Sequence, residues 1–140
     1  MSPDVEQRAG IRFKKLLLAQ LGKPYRFGAE HPQSSDDPKD FDCSELVEWA
    51  YSKIGLNVPD GAEAQYQASV PIPSKTPSLG DVGFSRPKEE NSKAAHVVIC
   101  LGDGNCIEAR GEPHNRVMLT AQLKWEAWKN WSGWRRLKDT

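Results

Sequence analysis

Asp40-Phe41-Asp42-Cys43-Ser44-Glu45-Leu46-Val47-Glu48-Trp49-Ala50-Tyr51-Ser52-Lys53-Ile54-Gly55 is the stretch whose reading decides the fold. From Ser44 onward the spacing predicts an amphipathic helix. Leu46, Val47, Ala50 and Ile54 share one stripe, and Glu45, Glu48 and Lys53 fall outside it. Gly55 predicts its end, because glycine tolerates the left-handed conformation that terminates helices. Cys43 is thereby placed at the helix N-terminus. Free backbone N–H groups and the positive end of the dipole point there, and both favour a thiolate.

Such a thiolate is a nucleophile in need of a base. Ala95-His96-Val97-Val98-Ile99-Cys100-Leu101 supplies one, a histidine at the start of a β-branched run. Alone, Cys43 would read as one more buried, inert cysteine. Its place at a helix start, together with a strand histidine, points instead to a cysteine–histidine pair. His31 and His114 are rival bases, although both sit in proline-flanked polar loops where histidines are mostly solvated.

A catalytic histidine needs a partner that fixes its tautomer and orientation. His96–Leu101 and Asn105–Arg110 read as two strands of a hairpin around Gly102-Asp103-Gly104. If the hairpin is centred on Gly102, position 96 faces 108, and Glu108 shares a sheet face with His96. If Asp103-Gly104 forms a two-residue turn, Leu101 pairs with Cys106 and Ile99 with Glu108, which turns Glu108 away. The sequence leaves both registers open.

The chain has 140 residues, which suits a single domain spanning 1–140. Mean hydropathy is −0.65. No run approaches the roughly 18 apolar residues of a membrane span, so no membrane insertion is expected. Nor does the N-terminus carry the pattern of a signal peptide. The expectation is a protein held in the cytoplasm until released, or delivered to its target by another route. Nineteen basic residues balance nineteen acidic ones, with no basic stripe to suggest a nucleic-acid partner. A monomer is expected.

Three cysteines do not suggest a disulfide framework. Asp36, Asp37, Asp40 and Asp42 match no calcium-loop spacing. His96, Cys100 and Cys106 lack the close cysteine pairs of structural zinc sites. No metal and no cofactor is expected.

Ser2-Pro3-Asp4 predicts a first helix, with Val5, Ala9, Phe13, Leu16, Leu17 and Leu21 as its apolar stripe and Gly22 and Pro24 as its stop. Residues 29–40 read as a polar loop and 56–78 as a proline-rich connector, with a helical turn over Ala62–Gln67. Leu79–Phe84 reads as a turn into a short strand, and Arg86–Ala94 as a charged loop. Residues 120–130 have helical character, and Trp131–Leu137 reads as a last strand. The spacing of Trp125, Trp128, Trp131 and Trp134 suits one helix face.

Taken together, these residues resemble the NlpC-type cell-wall cysteine peptidases, a papain-like family of bacterial and phage enzymes. The resemblance runs from Leu21-Gly22-Lys23-Pro24-Tyr25-Arg26-Phe27-Gly28 through Phe41–Val47 to Gln65. It continues through Leu79-Gly80-Asp81-Val82, His96–Gly104 and Ile107-Glu108-Ala109. The segment Ile107-Glu108-Ala109-Arg110-Gly111 is similar to that of some phage lysin and tail-associated members.

The resemblance implies an α+β papain-like fold, with N-terminal helices and the nucleophile at a helix N-terminus packed on an antiparallel sheet. It implies Cys43 as nucleophile, His96 as base and Glu108 as orienting group. Tyr25, Asp42 and Ser44 form the oxyanion- and substrate-binding set, and the Cys43 amide contributes to the oxyanion hole. The implied partners are bacterial peptidoglycan peptides, with cleavage of amide bonds in stem peptides or cross-links, as in an endolysin or tail-associated lysin. The chain departs from the family pattern at Glu45, where glycine is usual, and at Gly83-Phe84-Ser85, where a more hydrophobic strand is usual. It departs again at Glu108, where histidine, asparagine or glutamine is commoner. Two alternatives stand beside this reading. One is a non-catalytic wall- or glycan-binding module that stacks sugars on the tryptophans. The other is a related D-peptide amidase or thiol acyltransferase.

Overall fold

The computed structural model describes residues 10–32, 35–86 and 94–138. The expected start of the first helix, with Val5 and Ala9, lies outside them, as does most of the charged loop after Arg86. Four helices are present among the described residues: α1 (Ile11–Leu18), α2 (Cys43–Lys53), α3 (Ala62–Gln67) and α4 (Gln122–Glu126). Six strands accompany them: β1 (Ser69–Pro71), β2 (Val82–Ser85), β3 (His96–Cys100), β4 (Asn105–Arg110), β5 (Arg116–Ala121) and β6 (Trp131–Leu137). They form one sheet in the order β1-β6-β2-β3-β4-β5, and every neighbouring pair is antiparallel. The expected α+β architecture is therefore present.

α2 forms where its pattern predicted, and both ends are chemically closed. At the front, the Asp42 carboxylate accepts the Glu45 backbone N–H at 2.8 Å, satisfying one of the donors a helix start leaves over. At the back, Gly55 takes φ 82°. Its N–H reaches the Ser52 carbonyl, and the Leu56 N–H reaches that of Tyr51, the bond pair of a Schellman motif. Leu46, Val47 and Ala50 pack with Val97, Ile99, Ile107 and Ala109 of β3 and β4 into the main core. Phe13 and Leu17 of α1 join it, but Leu21, expected on the same stripe, is 40% exposed beyond the helix end. Gln65 of α3 is fully buried and donates to the carbonyls of Ser44 and Pro59, tying α3 to the first turn of α2.

Alternation along β3 and β4 puts Val98, Cys100 and Cys106 into a second core with Trp125 and Trp134. The tryptophans do not share a helix face. Trp125 belongs to α4, Trp131 and Trp134 lie on β6, and Trp128 falls between them. Trp125 stacks on Trp131 with centroids 6.0 Å apart, and Trp131 meets Trp134 edge-on at 5.0 Å. Gly83 explains how the rings fit. A Cβ there would come within 2.0 Å of the Trp131 ring and 2.9 Å of the Trp134 ring. The unusual Gly83-Phe84-Ser85 strand thus makes room for an aromatic layer.

Glu45 corrects the reading of α2. It lies outside the apolar stripe yet is only 4% exposed. One of its oxygens accepts the His31 backbone N–H at 3.1 Å, so it closes the preceding loop onto the helix. Burial pushes its carboxyl up to about 8, against the His31 hydrogen bond and with help from Glu48, Asp42 and Asp60. The folded chain therefore holds this proton more tightly than the unfolded chain, and stability falls as pH rises from the ordinary carboxyl value through about 8. Glu45→Gln is expected to raise the thermal midpoint at about pH 9 and to change it little at about pH 4. A difference between the two proteins that does not grow with pH would contradict this account of Glu45.

Candidate active site

The first turn of α2 is held in place from outside. Phe41, fully buried, pairs with the segment at Pro24–Arg26: its N–H reaches the Pro24 carbonyl and its carbonyl accepts the Arg26 N–H. The other Asp42 oxygen accepts the Gly28 N–H at 3.2 Å. This clamp brings Tyr25 beside the helix start. Burial raises the Tyr25 phenol above its ordinary value, and the charges of Cys43 and Asp42 add to the effect. Cys43 itself is half-buried at the first helical position, where its backbone N–H has no intrahelical acceptor.

The start of β3 lies next to it. The Cys43 Sγ is 4.0 Å from the Ala95 carbonyl oxygen. His96 is the next residue, one-fifth exposed, and its Nε2 is 2.8 Å from Oε1 of Glu108. The remaining ring nitrogen, Nδ1, is left for Cys43. Burial works against the imidazolium. The hydrogen bonds to Cys43 and Glu108 and the charges of both outweigh it, and the imidazole is raised to about 9.

Glu108 has a fully buried side chain. Its Oε2 accepts the Thr120 hydroxyl at 2.6 Å and the Trp125 indole N–H at 2.8 Å. Burial alone would raise its carboxyl. The hydrogen bond and charge of His96, with the Thr120 and Trp125 donors, reverse that and hold it below its ordinary value. Cys43, His96 and Glu108 are thus brought into one chain of contacts. The register is neither of those considered. Ile99 pairs with Ile107 and Cys100 with Cys106, so the hairpin centres on Asp103. That loop is still odd in length, which keeps Glu108 on the His96 face, one pair offset from it.

The other candidates are engaged elsewhere. Ser44 is buried, with its hydroxyl 3.3 Å from the Asp42 carboxylate, so both side chains serve the cap in this structure. His31 Nε2 pairs with Asp40 at 2.7 Å, on the loop closed by Glu45. His114 lies in the turn after β4, where its N–H bonds the Gly111 carbonyl. Asp36 and Asp37 pair with Lys53 and Lys23. Cys100 and Cys106 are free, buried and opposite one another, and burial pushes both thiols up, Cys100 to about 11. Among the described residues, only Glu45, Glu48 and Asp60 are close enough to share an ion. His96, Cys100 and Cys106 do not converge. Two residues of the site escaped the sequence reading, Thr120 and Trp125. Recognising Arg116–Ala121 as a strand would have found Thr120, since it faces Cys106 beside Glu108.

The chain is similar to several known proteins. The Bacillus subtilis bifunctional muramidase/DL-endopeptidase CwlT is 35% identical over 95 residues, covering 68% of this chain and 27% of that protein. The Escherichia coli murein DD-endopeptidase MepH is 33% identical over 96 residues, covering 66% of this chain and 33% of that protein. The chain therefore spans about a third or less of these two relatives. The structure of NlpC1 from Trichomonas vaginalis superposes with a TM-score of 0.74 at 26% identity, over 93% of this chain and 44% of that one. The NlpC/P60 family model matches residues 22–133, and with a papain-like fold that carries a cysteine at a helix start beside a strand histidine, the chain belongs to the NlpC/P60 family.

Proposed function

We propose that this chain is a cysteine peptidase that cleaves amide bonds in peptidoglycan stem peptides or cross-links. The observation that carries the proposal is the contact chain from Cys43 through His96 to the buried Glu108. The family names support the substrate, since the similar proteins are called endopeptidases of murein or its DL bonds. In this reading the sulfur attacks the carbonyl carbon. The developing oxyanion faces the Cys43 backbone N–H and the Tyr25 hydroxyl. His96 gives its Nδ1 proton to the departing amine as the C–N bond breaks, leaving a thioester on Cys43. The same imidazole then takes a proton from water, which releases the acid and restores the thiolate. Glu108 keeps the ring oriented and its positive form stabilised throughout. The Ile107-Glu108-Ala109-Arg110-Gly111 segment supports a phage lysin or tail-associated setting for this activity.

Digestion of purified peptidoglycans of different chemotypes, with products identified by mass, tests the proposal. Wild type is expected to release peptides with new amine and carboxyl ends. Cys43→Ala is expected to lower the rate at least about 10⁴-fold with an unchanged thermal midpoint. Undiminished turnover by Cys43→Ala would refute the mechanism, and intact wall from every chemotype would refute the substrate.

The pH profile tests Glu108 separately. The alkaline limb of kcat/KM is expected near pH 9, where His96 loses its proton. Glu108→Gln removes a charge that favours the imidazolium, so the limb is expected to move to lower pH while activity persists. A limb that stays in place would show that Glu108 does not hold that proton.

A further inference from the structure

Beside the contact chain lies a cleft of about 290 Å³, with His96, Arg86, Arg110, Lys124, Trp125 and Trp128 in its wall. Cys43 and Tyr25 do not line it. If His96 protonates the departing nitrogen, the part of the substrate attached to that nitrogen lies on the His96 side. The cleft is therefore on the leaving-amine side of the nucleophile. This step rests on the hydrolytic reading above.

The charged groups in this wall are all cationic, in a chain whose charges otherwise cancel. Glu108 pairs with Arg110 from outside this wall, and both of its oxygens already accept hydrogen bonds. His96 takes one oxygen, and Thr120 and Trp125 share the other. Arg110 Nε is 3.9 Å from Glu108, beyond hydrogen-bonding distance, and its guanidinium sits 5.3 Å from the Trp125 ring centre. Its Nη1 is buried without a hydrogen-bond partner among the described residues. A buried donor of this kind is costly until an acceptor reaches it. The guanidinium is planar and suits a carboxylate, which it can meet with two parallel hydrogen bonds. Lys124 and Arg86 stand exposed at the rim, and Trp128, 46% exposed, offers an apolar wall for a carbon chain.

We infer that this cleft is a carboxylate subsite: it selects substrates whose leaving-side residue carries a free carboxylate, with Arg110 as the principal anchor and Lys124 and Arg86 as rim charges. The anion belongs to the substrate, next to the bond that breaks. Arg110 and Lys124 are specificity-determining residues that take no part in the bond-breaking step.

Two measurements test this. The first uses peptides built around the bond that wild type cleaves, with the amine-side carboxylate either free or converted to a primary amide. Wild type is expected to prefer the free carboxylate by about 10-fold or more in kcat/KM. The preference is expected to fall to about 2-fold or less in Arg110→Gln, and to weaken in the Arg86→Gln/Lys124→Gln double variant, which leaves Glu108 untouched. Using the ratio within each protein cancels any general loss of activity from Arg110→Gln. Equal rates on the two peptides in wild type, or a preference unchanged in both variants, would overturn the inference.

The second measurement needs no turnover. Calorimetric binding of wall-derived stem peptides to Cys43→Ala, before and after conversion of their carboxylates to primary amides, should show weaker binding after amidation. That loss should largely disappear when Arg110→Gln is added. Such a preference in a protein whose wild type cleaves no wall would sink the hydrolytic reading and keep an anion site. Cleavage with no preference in either measurement would sink the subsite and keep the hydrolase.

Discussion

The Glu108 carboxylate has no surface exposed to water, so every hydrogen bond it makes must come from the protein. It obtains three from three different elements: His96 at the start of β3, Thr120 on β5 and Trp125 on α4. The group itself hangs from β4. One ionised side chain thus ties together the three strands at one side of the sheet and the short helix that covers them. Removing any single donor would leave a buried charge short of a partner, which costs far more than a neutral hydrogen bond returns. The imidazole that faces Cys43 is oriented by this arrangement. The geometry of the nucleophile's partner is therefore a consequence of packing on the far side of the sheet.

The aromatic layer makes that packing possible. α4 has only five residues, too few to be stable as a helix by its own hydrogen bonds. It is held because Trp125 is buried against Trp131 and because Glu126 accepts the Trp134 indole N–H at 2.7 Å. Trp131 in turn fits only because position 83 has no side chain. A glycine in β2, a tryptophan in β6 and a glutamate in α4 therefore reach Glu108 and His96 through Trp125. The buried tryptophans leave little aromatic face for sugar stacking. Only Trp128 is well exposed, and it lines the cleft beside His96.

Most of the frame was legible in the sequence because the decisive signals were local. The α2 period, its glycine stop, the β-branched run after His96 and the glycine-flanked hairpin loop all depend on near neighbours. The sequence left open whether His96 and Glu108 share a face, and the structure resolves it with an odd-length hairpin loop. Parity survives any odd loop length, and only the offset changed. Four features depended on distant contacts and stayed hidden. β1 sits in a proline-rich connector, where an edge strand tolerates Pro71. β5 is buried only at intervals, and the tryptophan spacing after it mimicked a longer helix than α4. Glu45 looked solvent-facing because no sequence rule shows that the His31 backbone will bond to it. Thr120 and Trp125 became partners of Glu108 only through pairing across β4 and β5 and the fold of α4 over them.

A charged group in place of a neutral orienting side chain changes the demands on everything around it. A buried amide can be satisfied by one or two ordinary hydrogen bonds, whereas a buried carboxylate needs donors for both oxygens and a positive partner. Here the hydroxyl of Thr120 and the indole of Trp125 take one oxygen, and His96 takes the other and supplies the charge. Two consequences follow from the same carboxylate. It contributes to the rise of the imidazole to about 9, so His96 holds its proton across the neutral range. It also forms an ion pair with Arg110, two residues along the strand, at 3.9 Å, too long for a hydrogen bond. His96 and Arg110 thus share one buried counter-charge, and His96 takes the hydrogen bond. A neutral group at 108 would leave Arg110 without even this distant counter-charge. It would also strip the imidazolium of its buried partner, so residue 108 and the charges of His96 and Arg110 are physically coupled.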